Sequence, residues 1–430
     1  MKKVYVSMEA DIIHPWNINV INHASKYWDV IVWLASDELM AKTSRLPYLN
    51  WEQRKKVVEN IKWVKEVIKQ NSIEWLEEIK KIKPDIVVHG SKWKSESVRN
   101  KIIDLVKQLW IELIEIPYTK WISADELIEA YKEIWITPDS RRARLKKLLQ
   151  YKWFITAMEA HNWLSWLIVE KTKINKEDWS IKEFDAIWLS SLTDSTAKWK
   201  PDIELVDVTS RVNTIQEIME VTTKPIIYDG DTWWKIEHFI YTVRTLDRLW
   251  VSAIVIEDKI GLKRNSLFWT DVEQQQDTIE NFIKKIQAWK NAKISNDFMI
   301  FARIESLILK KWMDDALKRA KAYVEWWADG IMIHSKEKEP DEIIEFMKEF
   351  RKFNKDVPVI AVPTTYNKIY EKELESIWVN ICIYANHLIR AAYPAMVEVA
   401  KEILKNGRSY EVENKCLPIE EIITLIPEKF

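Results

Sequence analysis

From residue 154 onward, short apolar runs alternate with segments of helix length. The runs fall at residues 154–158, 186–190, 225–229, 253–257, 299–303, 330–334, 359–362 and 381–384. Each is long enough for a strand buried on both faces. Between the third and fourth, Ile236, Phe239, Ile240, Val243 and Leu246 keep the spacing of one helix face. Eight such units in about 250 residues predict a (β/α)8 barrel. An open doubly wound sheet is the alternative. Upstream, residues 1–6, 30–34, 83–90 and 113–116 read as strands between helices. They predict a smaller parallel α/β domain of Rossmann type. The predicted organisation is therefore an α/β domain over 1–136, a linker helix over 137–150, and a barrel over 151–430. The linker opens on Thr137-Pro138-Asp139, a helix-start pattern, and its basic run predicts a solvated face.

Composition adds one anomaly. The chain has 25 Trp and 5 Gly in 430 residues. Together they make up the share that Gly alone ordinarily holds, about 7%. Several Trp also stand where the backbone calls for Gly. Trp28 and Trp250 directly follow predicted helices, the position that favours positive φ. Trp326, Trp327 and Trp378 precede predicted strands. Most of these positions therefore read as Gly, written in a stop codon reassigned to Gly and translated here as Trp. Trp93 and Trp188 are the exceptions, expected to be genuine.

The net charge of −1 gives no electrostatic reason to expect nucleic acid or membrane as a partner. No signal-peptide pattern opens the printed chain, and no apolar run approaches about 18 residues. With two cysteines, Cys382 and Cys416, the expectation is a disulfide-free cytoplasmic protein.

Chemistry concentrates at the ends of the predicted barrel strands, where barrels of this kind build their sites. Asp229, Asp231 and Glu257 are hard oxygen donors suited to Mg²⁺, with Mn²⁺ as a substitute. Arg303 and His334 end later strands and suit a phosphorylated acid. There is no Walker loop, no Gly-x-Ser-x-Gly elbow and no zinc-ligand spacing.

The residues around these acids resemble the phosphoenolpyruvate mutase family of the isocitrate lyase superfamily. Glu257-Asp258-Lys259 followed by Asn265-Ser266 is similar to that family's signature, as are Asp229-Gly230-Asp231-Thr232, Ala302-Arg303-Ile304-Glu305 and Ile187-Trp188-Leu189-Ser190-Ser191-Leu192. The resemblance implies a Mg²⁺-dependent isomerase acting on phosphoenolpyruvate and phosphonopyruvate, the entry to phosphonate biosynthesis. It implies that Asp229, Asp231 and Glu257 serve the metal. Trp188, Ser190, Ser191, Leu192 and Ser266 would serve the substrate. Asn265, Arg303 and His334 would grip the phosphoryl group, with Lys263 and Asp202 completing the site. The segment 259–266 would be a gating loop. A phosphonopyruvate hydrolase is the nearer alternative, and by resemblance it lacks the Asn at 265. A lyase of the superfamily would carry a Cys on this loop, and none is present. A catalytically inactive protein is the third reading: if Trp233, Trp234 and Trp269 are literal, their indoles crowd the metal loop and the lid. The family also implies a homodimer or homotetramer, with the apolar segment 418–426 as an exchanged element.

The first domain resembles cytidylyltransferase-like nucleotidyltransferases. His14-Pro15-Trp16-Asn17 is similar to their His-x-Gly-His signature, with Asn17 in place of the second His. Trp121-Ile122-Ser123 stands where their later motif falls, without its threonines. The resemblance implies CTP or another nucleotide near Asp11, His14, Asn17 and Ser123, in a domain that has lost part of its catalytic set.

Overall fold

The computed structural model describes residues 3–43, 46–72, 76–91, 93, 96–117, 138–175, 181–219, 222–232, 235–261, 263–264 and 274–425. The chain forms two compact units, the first being Met1–Trp135 with residues 150–152 and 173–183.

The first unit is a five-stranded sheet. Its strand order is Val64–Gln70, Val30–Ala35, Val4–Met8, Ile86–Gly90, Glu112–Ile116, all parallel. The first of these was not anticipated from the sequence. It is an edge strand with Lys65, Glu66 and Lys69 exposed, so its apolar pattern is broken. The order reverses between Val4–Met8 and Ile86–Gly90, the point at which such sheets open a crevice. His14 is the N-cap of the helix Pro15–Ala24 that follows the central strand.

The second unit is a closed barrel of eight parallel strands. In chain order they are Ile155–Glu159, Ala186–Leu189, Ile226–Asp229, Ala253–Glu257, Met299–Ile304, Gly330–Ile333, Val359–Ala361 and Ile381–Tyr384. Alternation along the strands sorts the side chains. Tyr228, Ile254, Ile256, Ile300, Ala302, Ile331 and Ile333 pack outward with Phe239, Val243, Phe282 and Ile286 of the surrounding helices. The other parity carries Asp229, Glu257, Arg303 and His334 at successive strand ends. Register sets Glu257 directly beside Arg303.

The helix Pro138–Lys152 departs from the expected solvated basic face. Arg141 and Arg142 are buried. Arg141 donates to the carbonyls of Met219 and Thr222, at 3.3 and 2.6 Å. Arg142 pairs with the buried Asp247 at 2.8 Å. The charges are thus used to close the foot of the barrel, satisfying loop carbonyls that no ladder reaches. At the far end, the helix Ile419–Thr424 leaves Ile419, Ile422 and Ile423 exposed. No described helix is long and apolar enough to cross a membrane.

The backbone bears directly on the Trp anomaly. Thirteen described non-Gly residues have left-handed φ, and eight of them are Trp: 63, 110, 153, 199, 250, 312, 327 and 378. That conformation costs a bulky residue about 1–3 kcal/mol and Gly almost nothing. Five of the eight close helices by the same double hydrogen bond. At Trp250, its own N–H reaches the Asp247 carbonyl and the next N–H reaches that of Leu246, both at 3.1 Å. Trp110, Trp199, Trp327 and Trp378 repeat the pattern. This is the helix ending that takes Gly. Trp110 and Trp199 are almost wholly exposed, 96% and 93%, so packing does not explain them. Trp33, Trp166 and Trp289 are fully buried with no acceptor for the indole N–H among the described residues, a cost Gly would not carry. Trp28 differs from expectation: it is not among the left-handed residues, because the chain after Ala24 ends in a looser turn. Trp93 has a role of its own, stacked on His89 at 3.8 Å and donating to Glu115 at 2.5 Å. Protein isolated from its native source is expected to be lighter than the printed chain by one indolylmethyl group at each left-handed Trp. Peptide mass mapping that finds Trp at 110, 199, 250, 327 and 378 would overturn this.

Candidate active site at the carboxyl end of the barrel

A single cavity gathers most of the predicted site. Trp188, Ser190, Ser191, Leu192, Asp202, Asp229, Lys263, Arg303 and His334 line it, with Met332, Val362, Thr364, Ala385 and Asn386. The second strand ends at Leu189, so Ser190 becomes the N-cap of Ser191–Ala197 and Ser191 turns to the third strand. Ser191 gives its N–H and its hydroxyl to Asp229 Oδ2, at 3.1 and 2.8 Å. Gly230 is required by close approach: a Cβ there would lie 2.8 Å from the Val255 carbonyl oxygen. Asp231 follows with φ of 55°, a strained turn that brings its carboxylate back toward Asp229.

Lys263 joins the acids. Its ammonium donates to Asp202 at 2.7 Å and contacts Asp231 and the Ser191 hydroxyl. Burial pushes the Asp229 carboxyl up, but Lys263, Arg303 and Arg211 outweigh it and hold Asp229 below the ordinary value. Asp231 is pushed up by burial, and the neighbouring Asp229 charge adds to the effect. Opposite these acids, Arg303 gives its Nε to Glu305 at 2.6 Å and lies 3.2 Å from Glu257. Arg303 Nη2 is 3.0 Å from His334 Nδ1. Burial and then the Arg303 charge lower the His334 pKa, which keeps the ring neutral. Nδ1 also lies 3.3 Å from Glu305 Oε1. It accepts when it faces Arg303, which puts the ring proton on Nε2, and donates when it faces Glu305. Burial also raises Glu257, with the Glu305 charge adding to it. Among the described residues neither Glu257 carboxylate oxygen accepts a hydrogen bond, although Lys259 and Arg303 stand 3.3 and 3.2 Å away.

No group of three described His, Cys, Asp or Glu side chains is arranged as a ready metal cluster. Asp202 and Asp231 meet at Lys263, Asp229 joins them through Ser191, and Glu257 faces Arg303 and Lys259. The donor set nevertheless fits a hard, largely hydrated cation such as Mg²⁺. The fit rests on an all-oxygen set and on the two buried Glu257 oxygens, which accept no hydrogen bond among the described residues. Asn265 and Ser266 lie outside the described residues, as do Trp233, Trp234 and Trp269. In the first unit, Asp11 accepts from the Tyr48 and Leu49 N–H groups, and the Asn17 side chain accepts from the His14 N–H. Ser123 is outside the described residues.

Three contributors were missed in the sequence. Arg211 lies under the strand ends, and its signal was an arginine on the stripe it shares with Thr214, Ile215 and Ile218. Lys259 is buried and bonds the Arg264 carbonyl and Gln274. Asp258 points away from the cavity. It accepts from Gln276, the Glu305 N–H, Arg319 and Tyr323, the last at 2.8 Å.

Fold and site together define a closed barrel of eight parallel strands with a polar cavity lined from their carboxyl ends. The family pattern described as phosphoenolpyruvate phosphomutase matches residues 145–404, and the cytidylyltransferase-like pattern matches residues 9–152. The chain belongs to the phosphoenolpyruvate phosphomutase family, with a cytidylyltransferase-like domain before the barrel. It is 36% identical to a phosphoenolpyruvate phosphomutase of Tetrahymena pyriformis over 66% of this chain and 91% of that one. The solved phosphoenolpyruvate phosphomutase of Streptomyces platensis subsp. rosaceus aligns at TM-score 0.61 and 30% identity, covering 66% of this chain and 94% of that one. A phosphonopyruvate hydrolase in complex with oxalate and Mg²⁺ aligns at 0.59 and 33%, covering 66% and 94%.

The Asp258 cluster gives a test that is independent of activity. Asp258→Ala leaves Arg319 short of a counterion and several donors unmatched, with an expected loss of about 3–5 kcal/mol. Denaturant unfolding of the variant measures it, and an unchanged midpoint would show that the cluster does not hold the strand end.

Proposed function

We propose that the barrel interconverts phosphoenolpyruvate and phosphonopyruvate. The observation that carries this reading is one cavity with carboxylates and Lys263 on one wall and Arg303 with neutral His334 on the other. The Arg303 guanidinium and the His334 N–H would hold the phosphoryl oxygens. Trp188, Ser190, Leu192 and the Ser191 backbone would seat the pyruvyl group, with Ser266 at the rim. Asp229 would hold Mg²⁺, or Mn²⁺ in its place, with Asp231 and Glu257 acting directly or through water. The bound cation would supply charge to the enol oxygen as the phosphoryl group departs. In the isomerisation the P–O bond breaks and the methylene carbon takes up the same phosphorus, with no water consumed. The transferring group is loose and metaphosphate-like, so the residues need only position it and spread its charge. Lys263, paired with Asp202, closes the acidic wall. Asn265, from the segment after Lys263, would steer the group and help exclude water.

Hydrolysis is the second reading, because a phosphonopyruvate hydrolase aligns over the same barrel. The signature Asn265 favours the isomerase. For the first domain, CTP or another nucleotide would approach the end of the central strand near His14 and Asn17. The isoleucines exposed on Ile419–Thr424 support assembly into a homodimer or homotetramer.

Incubation with phosphonopyruvate and Mg²⁺, followed by ³¹P NMR, separates the readings. Phosphoenolpyruvate is the expected product; inorganic phosphate would make the protein a hydrolase, and an unchanged spectrum would make it inactive. EDTA is expected to stop turnover and added Mg²⁺ to restore it. Asn265→Ala is expected to slow isomerisation by at least about 100-fold, the scale of losing one donor to the transferring group. Turnover at the unsubstituted rate would remove Asn265 from the chemistry.

A further inference from the structure

Arg211 lies on the helix Val208–Met219 and is buried, 3% exposed. It is not among the residues lining the central cavity. Its guanidinium instead lies beneath the ends of two neighbouring strands. Nη1 donates to the Asp229 carbonyl at 2.7 Å and reaches Asp231 Oδ2 at 3.4 Å. Nη2 donates to the Leu189 carbonyl at 3.3 Å. Nε faces Asp194 Oδ2 at 3.5 Å. The cation also lies 4.0 Å over the Tyr228 ring, where the π face adds attraction.

These partners belong to the two halves of the proposed site. Leu189 sits between Trp188 and Ser190, and Asp194 lies on the short helix that begins at Ser191. Asp229 and Asp231 are the acids of the metal wall. We propose that Arg211 is a positioning residue, fixing the distance between the pyruvyl-binding segment 188–192 and the acids Asp229 and Asp231. The proposal rests on the isomerase reading and deepens it: the ligand served is a 2-oxo or enol acid bound together with a divalent cation. A planar fork can satisfy two carbonyls and a carboxylate from fixed angles, whereas an ammonium on a flexible stem cannot. Arg211→Lys therefore keeps the charge and loses the spacing. Arg211→Met loses both.

Oxalate, bound with Mg²⁺ by the aligned hydrolase, is the probe. Calorimetry measures its Mg²⁺-dependent binding to the full chain and to both variants, at a temperature where all remain folded. Outer partners of metal sites commonly contribute about 10–100-fold in affinity. Both variants are expected to bind oxalate at least about tenfold more weakly on that scale. In metal-free protein, amide exchange at Leu189–Ser191 and Asp229–Asp231 is expected to quicken in both. A purely structural arginine would lower the melting temperature while leaving the folded protein's oxalate affinity unchanged. If Arg211→Met does not fold, Arg211→Lys decides. Variants that bind within twofold of the unsubstituted protein would overturn the positioning role and leave the isomerase reading intact. An unsubstituted protein that binds no oxalate with Mg²⁺ would overturn both.

Discussion

Buried like charges cannot share a small volume unless counter-charges are built in with them, and this constraint organises the mouth of the barrel. Asp202, Asp229, Asp231, Glu257 and Glu305 are all close to it. Taking an ion from water into a protein interior costs several kcal/mol even after relaxation. Among the described residues four of these acids pair with a cation, while Asp229 accepts from Ser191 in the field of Lys263, Arg303 and Arg211. Lys263 serves Asp202 and Asp231, Arg303 serves Glu257 and Glu305, and Lys259 stands between the same two glutamates. Arg211 sits below, bound to the Asp229 carbonyl. The cations come from a helix, from strand ends and from the segment after Lys259, so the site exists only when the barrel is closed.

The three consecutive residues Glu257, Asp258 and Lys259 show how a short motif can serve three ends. Glu257 is on the inward parity of its strand and is buried beside Arg303 and Lys259. Asp258 turns the other way and fastens the strand end to the helix that carries Arg319 and Tyr323. Lys259 is buried again, and its bonds to the Arg264 carbonyl and Gln274 tie down both flanks of the intervening segment. A reaction that must exclude water needs a segment that is held at its base. The motif supplies that base next to the buried Glu257.

Much of this was legible in the sequence. Eight apolar runs ending in polar residues predict the barrel, and strand parity then places Asp229, Glu257, Arg303 and His334 on one inner rim. The edge strand Val64–Gln70 was not legible, because an edge strand presents charge where a central strand presents valine. Arg141, Arg142 and Arg211 were also misjudged or missed. A basic residue on a helix ordinarily means solvent, and only the folded chain shows carbonyls and carboxylates waiting beneath it. The lid signature was legible as a motif, while its position relative to the acids was not, since Asn265 and Ser266 fall outside the described residues.

The helix endings at Trp110, Trp199, Trp250, Trp327 and Trp378 reach beyond this one chain. If these turns are written with a stop codon reassigned to Gly, the gene cannot be lent intact. A recipient using the standard code would make only a fragment, stopped well before the barrel closes. The ability encoded here would then descend vertically, or travel only after its left-handed turns had been respelled. Backbone geometry would in that way act as a barrier to genetic exchange.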